Sequence, residues 1–304
     1  MGFINKSPLA AAIITALSLV ASVASAAPAQ KNSVTMAELI KSSSASDWRP
    51  LDAESTLYLE LEKGRVVIEL APQLAPKNVA NIKALVREGY FDGLAIIRSQ
   101  DNYVVQWGDP DESRKFKTAQ EKVPGEFTVS YDNLPGFTRL PDVDGYAAQV
   151  GHFNSFPVGR DLKTRQTWLA HCYASVGVAR GNETDSGNGS SLYVVTGHAP
   201  RHLDRNITAV GRVVAGMDLL SVMPRGKGNL GFYEQASERS PIKSVKIAAD
   251  VPAAERSPLE IIRTDTAIFK RMVEAQRNRG GDWYKVPAGH VELCNVAIPV
   301  RQQK

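Results

Sequence analysis

The stretch from Leu57 to Leu70 constrains the fold most. Leu57, Leu59 and Leu61 alternate with Tyr58 and Glu60, and after a turn at Lys63-Gly64 the apolar Val66, Ile68 and Leu70 alternate in the same way. A period of two is the mark of a half-buried strand, and two such runs around a glycine turn predict a hairpin. Pro76 then opens a helix at the position where a missing N–H costs nothing. Val79, Ile82, Leu85 and Val86 form its apolar face, and Gly89 fits its stop. Further on, a second helix is predicted from about Ala215 to Met223, ended by Pro224, and Lys243 to Ala248 alternates as a closing strand. Closure of such strands into a barrel removes the edges that would otherwise pair with other chains.

At 304 residues the chain can hold one large domain or two small ones. Its 43% hydrophobic and 22% charged residues argue against overall disorder. The formal net charge is only +4, and the basic residues are scattered rather than interleaved with aromatics, so there is no nucleic-acid footprint. The N-terminus reads as a targeting segment: Lys6 gives a positive start, Leu9 to Ala21 an apolar run, and Ala24-Ser25-Ala26 a small-residue cleavage site. A membrane anchor needs about 18 uninterrupted apolar residues; this run is shorter and ends in small residues and Pro28. The expectation is a signal peptide over 1–26, no stable membrane insertion, and a mature protein in an oxidising compartment, periplasmic or secreted. The two cysteines, Cys172 and Cys294, then read as one disulfide, with two buried free thiols as the alternative.

The segment Ile96-Ile-Arg98-Ser-Gln-Asp-Asn-Tyr103-Val-Val-Gln106-Trp-Gly-Asp109 sets an aromatic and a glutamine five and eight residues after an arginine and closes on Gly-Asp. It resembles the cyclophilin signature F-H-R-x-I-x-x-F-x-x-Q-G-G-D, with Ile97 in place of the histidine and Trp107 in place of the first closing glycine. Three more blocks follow in family order. Val176 to Arg180 resembles the S-M-A-N strand, Thr184 to Val194 the N-T-N-G-S-Q-F-F-I block, and His202 to Val213 the W-L-D-G-x-x-x-x-F-G-x-V block. Lys122 to Phe127 resembles I-P-x-E-F, and the hairpin-helix-strand opening is also that of the family.

The resemblance implies a peptidyl-prolyl cis-trans isomerase that needs no cofactor and no metal. Arg98 falls on the catalytic arginine. The proline slot falls on Tyr103, Val104, Tyr193 and Leu203, with Gln106 positioning the arginine and the peptide carbonyl, and with backbone near Ala179 and Arg180 pairing with the extended substrate. Ser191 replaces a glutamine, His202 a tryptophan and Ile207 a histidine. Tyr103 and Tyr193 replace phenylalanines and add hydroxyls to the slot. The implied partners are unfolded or proline-containing exported proteins. A different class of function, a non-catalytic chaperone that keeps the fold and binds proline-containing segments, is favoured by the altered slot residues and disfavoured by Arg98 and Gln106.

Other constellations are weak. His198 and His202 have the i, i+4 spacing of a metal pair, but Ala199-Pro200 between them argues for a loop. Gly-Asn-Gly-Ser190-Ser191 is not a nucleophile elbow, so a hydrolase triad drawing on His152 or His171 has no sequence support. The expected architecture is therefore mainly β: a closed antiparallel barrel of eight strands over 54–250, capped by two helices. It carries an N-terminal extension over 27–53 and an irregular, turn-rich insertion at about 128–170, marked by Leu134-Pro-Gly136, Leu140-Pro141 and Phe156-Pro-Val-Gly159. A partly helical C-terminal extension over 251–304 packs on the barrel, with Ile268, Phe269, Met272, Val273 and Gln276 as its helical stripe.

Overall fold

The computed structural model describes Gly2 and residues 34–303, so the expected signal peptide lies, apart from Gly2, outside the described residues. The chain opens with helix α1 (Met36–Ser42) and strand β1 (Trp48–Pro50). Next come the hairpin β2 (Thr56–Leu61) and β3 (Gly64–Leu70), helix α2 (Pro76–Arg87), and strands β4 (Ala95–Ser99) and β5 (Val104–Gly108). The insertion holds β6 (Val129–Ser130), β7 (Thr138–Arg139), β8 (Gln149–Phe153), β9 (Phe156–Asp161) and β10 (Gln166–Leu169). Then follow β11 (Ser175–Val178), β12 (Leu192–Val195), β13 (Ala209–Ala215), α3 (Met217–Ser221) and β14 (Ser240–Ile247). The end of the chain adds β15 (Leu259–Ile262), α4 (Ala267–Arg277) and β16 (Val300–Gln302).

Eight strands close into an antiparallel barrel in the order β11-β12-β5-β4-β14-β2-β3-β13. The leucines at 57, 59 and 61 point inward with Val66, Ile68 and Leu70, and the apolar faces of α2 and α3 close the same core. Each such side chain, fully buried, is worth about 1.5–3 kcal/mol against exposure. Pro76 sits in the first turn of α2, and the preceding Ala75 offers no side-chain cap. The Glu126 carboxylate supplies it from a distance, accepting from the Lys77 and Asn78 N–H groups at 3.0 and 2.8 Å, which accounts for the acidic residue of the Lys122 to Phe127 block.

The insertion is more regular than its proline and glycine signals imply. It forms a five-stranded antiparallel sheet in the order β6-β10-β9-β8-β7. Its tightest hairpin turns at Asn154 and Ser155, both at positive φ (46° and 68°), the two-residue turn that matches strand twist. Without a glycine there, the turn carries little sequence signal; long-range contacts hold it instead, Ser155 Oγ donating to the Ile262 carbonyl at 2.7 Å.

The C-terminal extension does not simply lie on the barrel. Strand β15 pairs with β1 on one side and β16 on the other, a three-stranded sheet assembled from both ends of the chain. The stripe of α4 is buried as expected, but in a separate core with Leu39 and Trp48 from the N-terminal extension, Leu140 and Val150 from the insertion, and Leu293 from the tail. Contact with the barrel is made by the sheet: Leu259 packs on Tyr58 and Val67, the outward-facing apolar residues of the β2–β3 hairpin. Cys172 and Cys294 are joined, with their Cα atoms 4.9 Å apart.

Candidate active site

Strands β4, β5, β12 and β11 lie side by side, and their register sets Arg98 opposite Gln106, Gln106 opposite Tyr193 and Tyr193 opposite Gly177. Alternation along each strand sends Ile96, Val105, Trp107 and Val194 into the core and the Arg98–Gln106–Tyr193 row to the outer face. Trp107, which departs from the family glycine, is thus a core residue, only 1% exposed.

The half-buried Arg98 is held at three points. Its Nε donates to the Leu230 carbonyl at 2.7 Å, Nη1 to Gln106 Oε1 at 3.0 Å, and Nη2 to Gln100 Oε1. Gln106 is oriented in turn: its Nε2 donates to Ser191 Oγ at 3.0 Å, and that hydroxyl donates to the Trp107 carbonyl at 3.2 Å, so the amide oxygen faces Arg98. The rings of Tyr103 and Phe232 lie 5.6 and 5.3 Å from the guanidinium. Burial lowers the Arg98 pKa from its ordinary value, which starts so far above neutral that the charge is kept.

Beside this row, buried Val104, Tyr193 and Val195 form an apolar patch bordered by Tyr103, Ala179, Leu203 and Ile207. The slot residues named from the sequence therefore come together. His202 is close by, its ring parallel to that of Tyr103 within 7° and 6.4 Å away. One detail is corrected: the Tyr193 hydroxyl does not enter the slot but turns away from it to His171 Nε2, at 2.9 Å. Around Ala179 and Arg180, the Ala179 N–H is already donated to the Ser191 carbonyl at 3.0 Å. The Arg180 guanidinium folds back onto the Asn206 carbonyl at 3.0 and 2.8 Å, so it braces that loop. A separate polar cavity of about 580 Å³ shares Gln106 and Ser191 with this site and extends to Asp109, Arg114 and Arg239.

Three members of the site were not named from the sequence: Gln100, Leu230 and Phe232. Gln100 lies two residues beyond Arg98, the spacing that shares a strand face, and was findable. Leu230 and Phe232 arrive from a loop 132 residues further on, where no motif marks them. Among the described residues no group of three or more His, Cys, Asp or Glu side chains is placed to hold a metal, and His198 and His202 gain no third ligand.

The site is thus an arginine-glutamine row beside an apolar slot on the outer wall of a closed barrel. The model of the family described as cyclophilin type peptidyl-prolyl cis-trans isomerase/CLD matches residues 56–249, and the chain belongs to that family of enzymes. A probable peptidyl-prolyl cis-trans isomerase of Brucella suis biovar 1 is 31% identical over 196 residues, 64% of this chain and 82% of the relative. A peptidyl-prolyl cis-trans isomerase-like 1 of Gibberella zeae is 27% identical over 194 residues, 64% of this chain and 91% of that one. The crystal structure of cyclophilin AquaCyp293 from Hirschia baltica superposes with a TM-score of 0.68 at 22% identity, covering 89% of this chain and 99% of that chain. The shared fold therefore reaches beyond the barrel into the added elements.

Proposed function

We propose that Arg98 drives prolyl isomerisation by stabilising the twisted amide, and that the clients are proline-containing segments of exported proteins. The uncatalysed barrier is about 18–20 kcal/mol because rotation breaks amide resonance. As the bond twists, the prolyl nitrogen becomes pyramidal and gains a lone pair. A guanidinium that donates to it, and to the adjoining carbonyl oxygen, binds the twisted form better than either planar isomer, and that difference is the catalysis.

The observation that carries this reading is how the donors of Arg98 are spent. Leu230, Gln106 and Gln100 each take one N–H, which leaves one on each terminal nitrogen of a charged, immobilised fork. The apolar patch of Val104, Tyr193 and Val195 next to it suits a proline ring. Export is supported by the leader-like N-terminus and by the disulfide, a bond that persists in oxidising compartments.

A protease-coupled assay on a proline peptide tests the mechanism. Arg98→Ala should lower turnover roughly a hundred- to thousandfold, as for loss of one oxyanion-hole donor, with little change in peptide affinity. Tyr103→Ala should weaken binding as well, because it opens the slot. Wild-type turnover in Arg98→Ala refutes the mechanism. A wild type that shows only the spontaneous rate, yet binds proline peptides and prevents aggregation, establishes the chaperone instead. Recovery of an exported product that retains Met1 to Ala26 refutes cleavage of the leader.

A further inference from the structure

On the side of Tyr193 turned away from the peptide groove lies a chain of buried polar side chains that the twisting of an amide does not require. The Tyr193 hydroxyl meets His171 Nε2 at 2.9 Å, and His171 Nδ1 meets Asp204 Oδ1 at 3.0 Å. The other Asp204 oxygen accepts from Arg201 Nε at 2.6 Å and Trp168 Nε1 at 3.2 Å. The two terminal nitrogens of Arg201 reach the Asp144 carboxylate at 2.9 and 3.1 Å. His171, Asp204, Arg201 and Asp144 have side chains only 1, 4, 6 and 8% exposed. Asp144 and Trp168 belong to the insertion, His171 to its exit, Arg201 and Asp204 to the loop that carries Leu203, and Tyr193 to the barrel wall.

Burial raises the Tyr193 phenol far above its ordinary value, so the hydroxyl keeps its proton. It shares one hydrogen bond with His171 Nε2, and Nδ1 of the same ring shares another with the Asp204 carboxylate. Burial would raise the Asp204 carboxyl, but the hydrogen bonds from His171 and the charge of Arg201 hold it below the usual carboxylate range. The tyrosine ring is also held from beneath: a Cβ at Gly177 would lie 2.3 Å from Tyr193 Cζ and Oη, so only glycine leaves room for the phenol to cross that strand. An Asp–His–hydroxyl series also occurs in nucleophile triads. Here the hydroxyl belongs to a tyrosine 5% exposed, and no reacting carbonyl can approach it.

We propose that His171 is a positioning residue for the proline slot: anchored by Asp204, Arg201 and Asp144, it fixes the Tyr193 ring, so that the insertion sets how well the slot fits its proline. This rests on the isomerase reading of the slot and adds to it the device that holds the wall. A preformed wall grips planar and twisted prolines alike, so loosening it raises KM while kcat is kept.

The test is a double-mutant cycle on the mature full-length protein, with KM and kcat measured for one proline peptide well below the melting temperature. Tyr193→Phe removes only the hydroxyl and should raise KM about fivefold, the net worth of one buried hydrogen bond, with kcat within about twofold. His171→Phe keeps the ring volume, loses both nitrogens and should raise KM alike, and the double variant should be no worse than the single ones. Should His171→Phe not fold, Asp144→Asn takes its place: KM should rise in the Tyr193 protein and stay unchanged in Tyr193→Phe. A wild-type KM in Tyr193→Phe, or effects that multiply in the double variant, overturns the proposal. If wild-type protein shows no turnover, the isomerase reading fails by itself, and the same cycle is read in the dissociation constant of the peptide, where non-additivity still decides.

Discussion

The barrel and the satellite built around it are held together by different means. In the barrel, strands adjacent in space exchange a closed ladder of backbone hydrogen bonds, and one core of inward-pointing Leu, Ile and Val serves every strand. The satellite gathers α1 and β1, the insertion, and everything after β14, with strands as short as two residues. Its parts share a second, smaller apolar core and are tied by specific long-range links: the Cys172–Cys294 bond, Arg277 bidentate on Asp142 at 2.7 and 2.9 Å, and Arg49 on Glu69 of the barrel at 2.6 Å. A closed barrel is specified by a local period repeated until it closes. A satellite of three separated segments is specified only by contacts that exist once the chain has folded, so single side chains matter more there.

The largest expected effect lies where the two regions join. Asp204→Ala leaves Arg201 its pair with Asp144 but strips Arg201 Nε, Trp168 Nε1 and the His171 backbone N–H of their shared buried acceptor, at about 1–3 kcal/mol for each donor left unpaired. Urea unfolding should show one transition at a lower midpoint, because the lost group belongs to both regions; a loss below about 1 kcal/mol would mean that this junction carries no stability. Next in size is the cross-link. Cys172 and Cys294 are 122 residues apart in sequence, and closing so long a loop is worth about 2–4 kcal/mol. Cys294→Ala should melt lower than wild type under oxidising conditions and match it in reductant. Hydrogen exchange should speed up in α4 and the tail while β2 and β3 keep their protection. Faster exchange in β2 and β3 as well would erase the distinction between the regions.

How much of each region could be read from the sequence follows the same division. The β2–β3 hairpin, α2 and the closing strand were legible because their periods, proline and glycine signals are local, and the Arg98–Gln106 pair because its spacing fits a known motif. Tyr58 and Val67 break the outward polar pattern of that hairpin, and the sheet that covers them is the reason. The regularity of the insertion was hidden because its hairpin turns at Asn154 and Ser155 rather than at glycine. The stripe of α4 was visible, but nothing in a stripe says that it faces Leu39 and Leu140 rather than the barrel. In the site, Gln106 was legible, whereas Leu230 contributes only a carbonyl, which every residue has. His171 could be seen as a histidine next to a cysteine; that it stands behind Tyr193 follows from contacts with Tyr193 and Asp204 that exist only in the folded chain.

The smallest effect concerns a group that only the satellite contains. His152, on β8, is fully buried with its ring edge-on to Phe269 at 5.2 Å, and neither ring nitrogen has a hydrogen-bond partner among the described residues. Burial, helped by the Arg212 charge, pulls its pKa from 6.5 to about 3. The sign follows from proton counting. Between these values the unfolded chain binds a proton that the folded chain does not, so stability rises with pH through this window. It is fully present above pH 6.5 and is lost as pH falls toward 3. The slope approaches about 1.4 kcal/mol per pH unit, so roughly 2–3 kcal/mol should go by about pH 4.5. Staying above that pH keeps the carboxylates held low by their partners, such as Asp142 and Asp204, charged throughout. Urea midpoints at steps from pH 7 down should show this decline in wild type. In His152→Leu, which removes both unpartnered nitrogens and the proton, the decline should flatten, with the largest gain at the acid end. A wild type flat across the window, or a leucine variant that keeps the full slope, would show that acid lability enters through some other group.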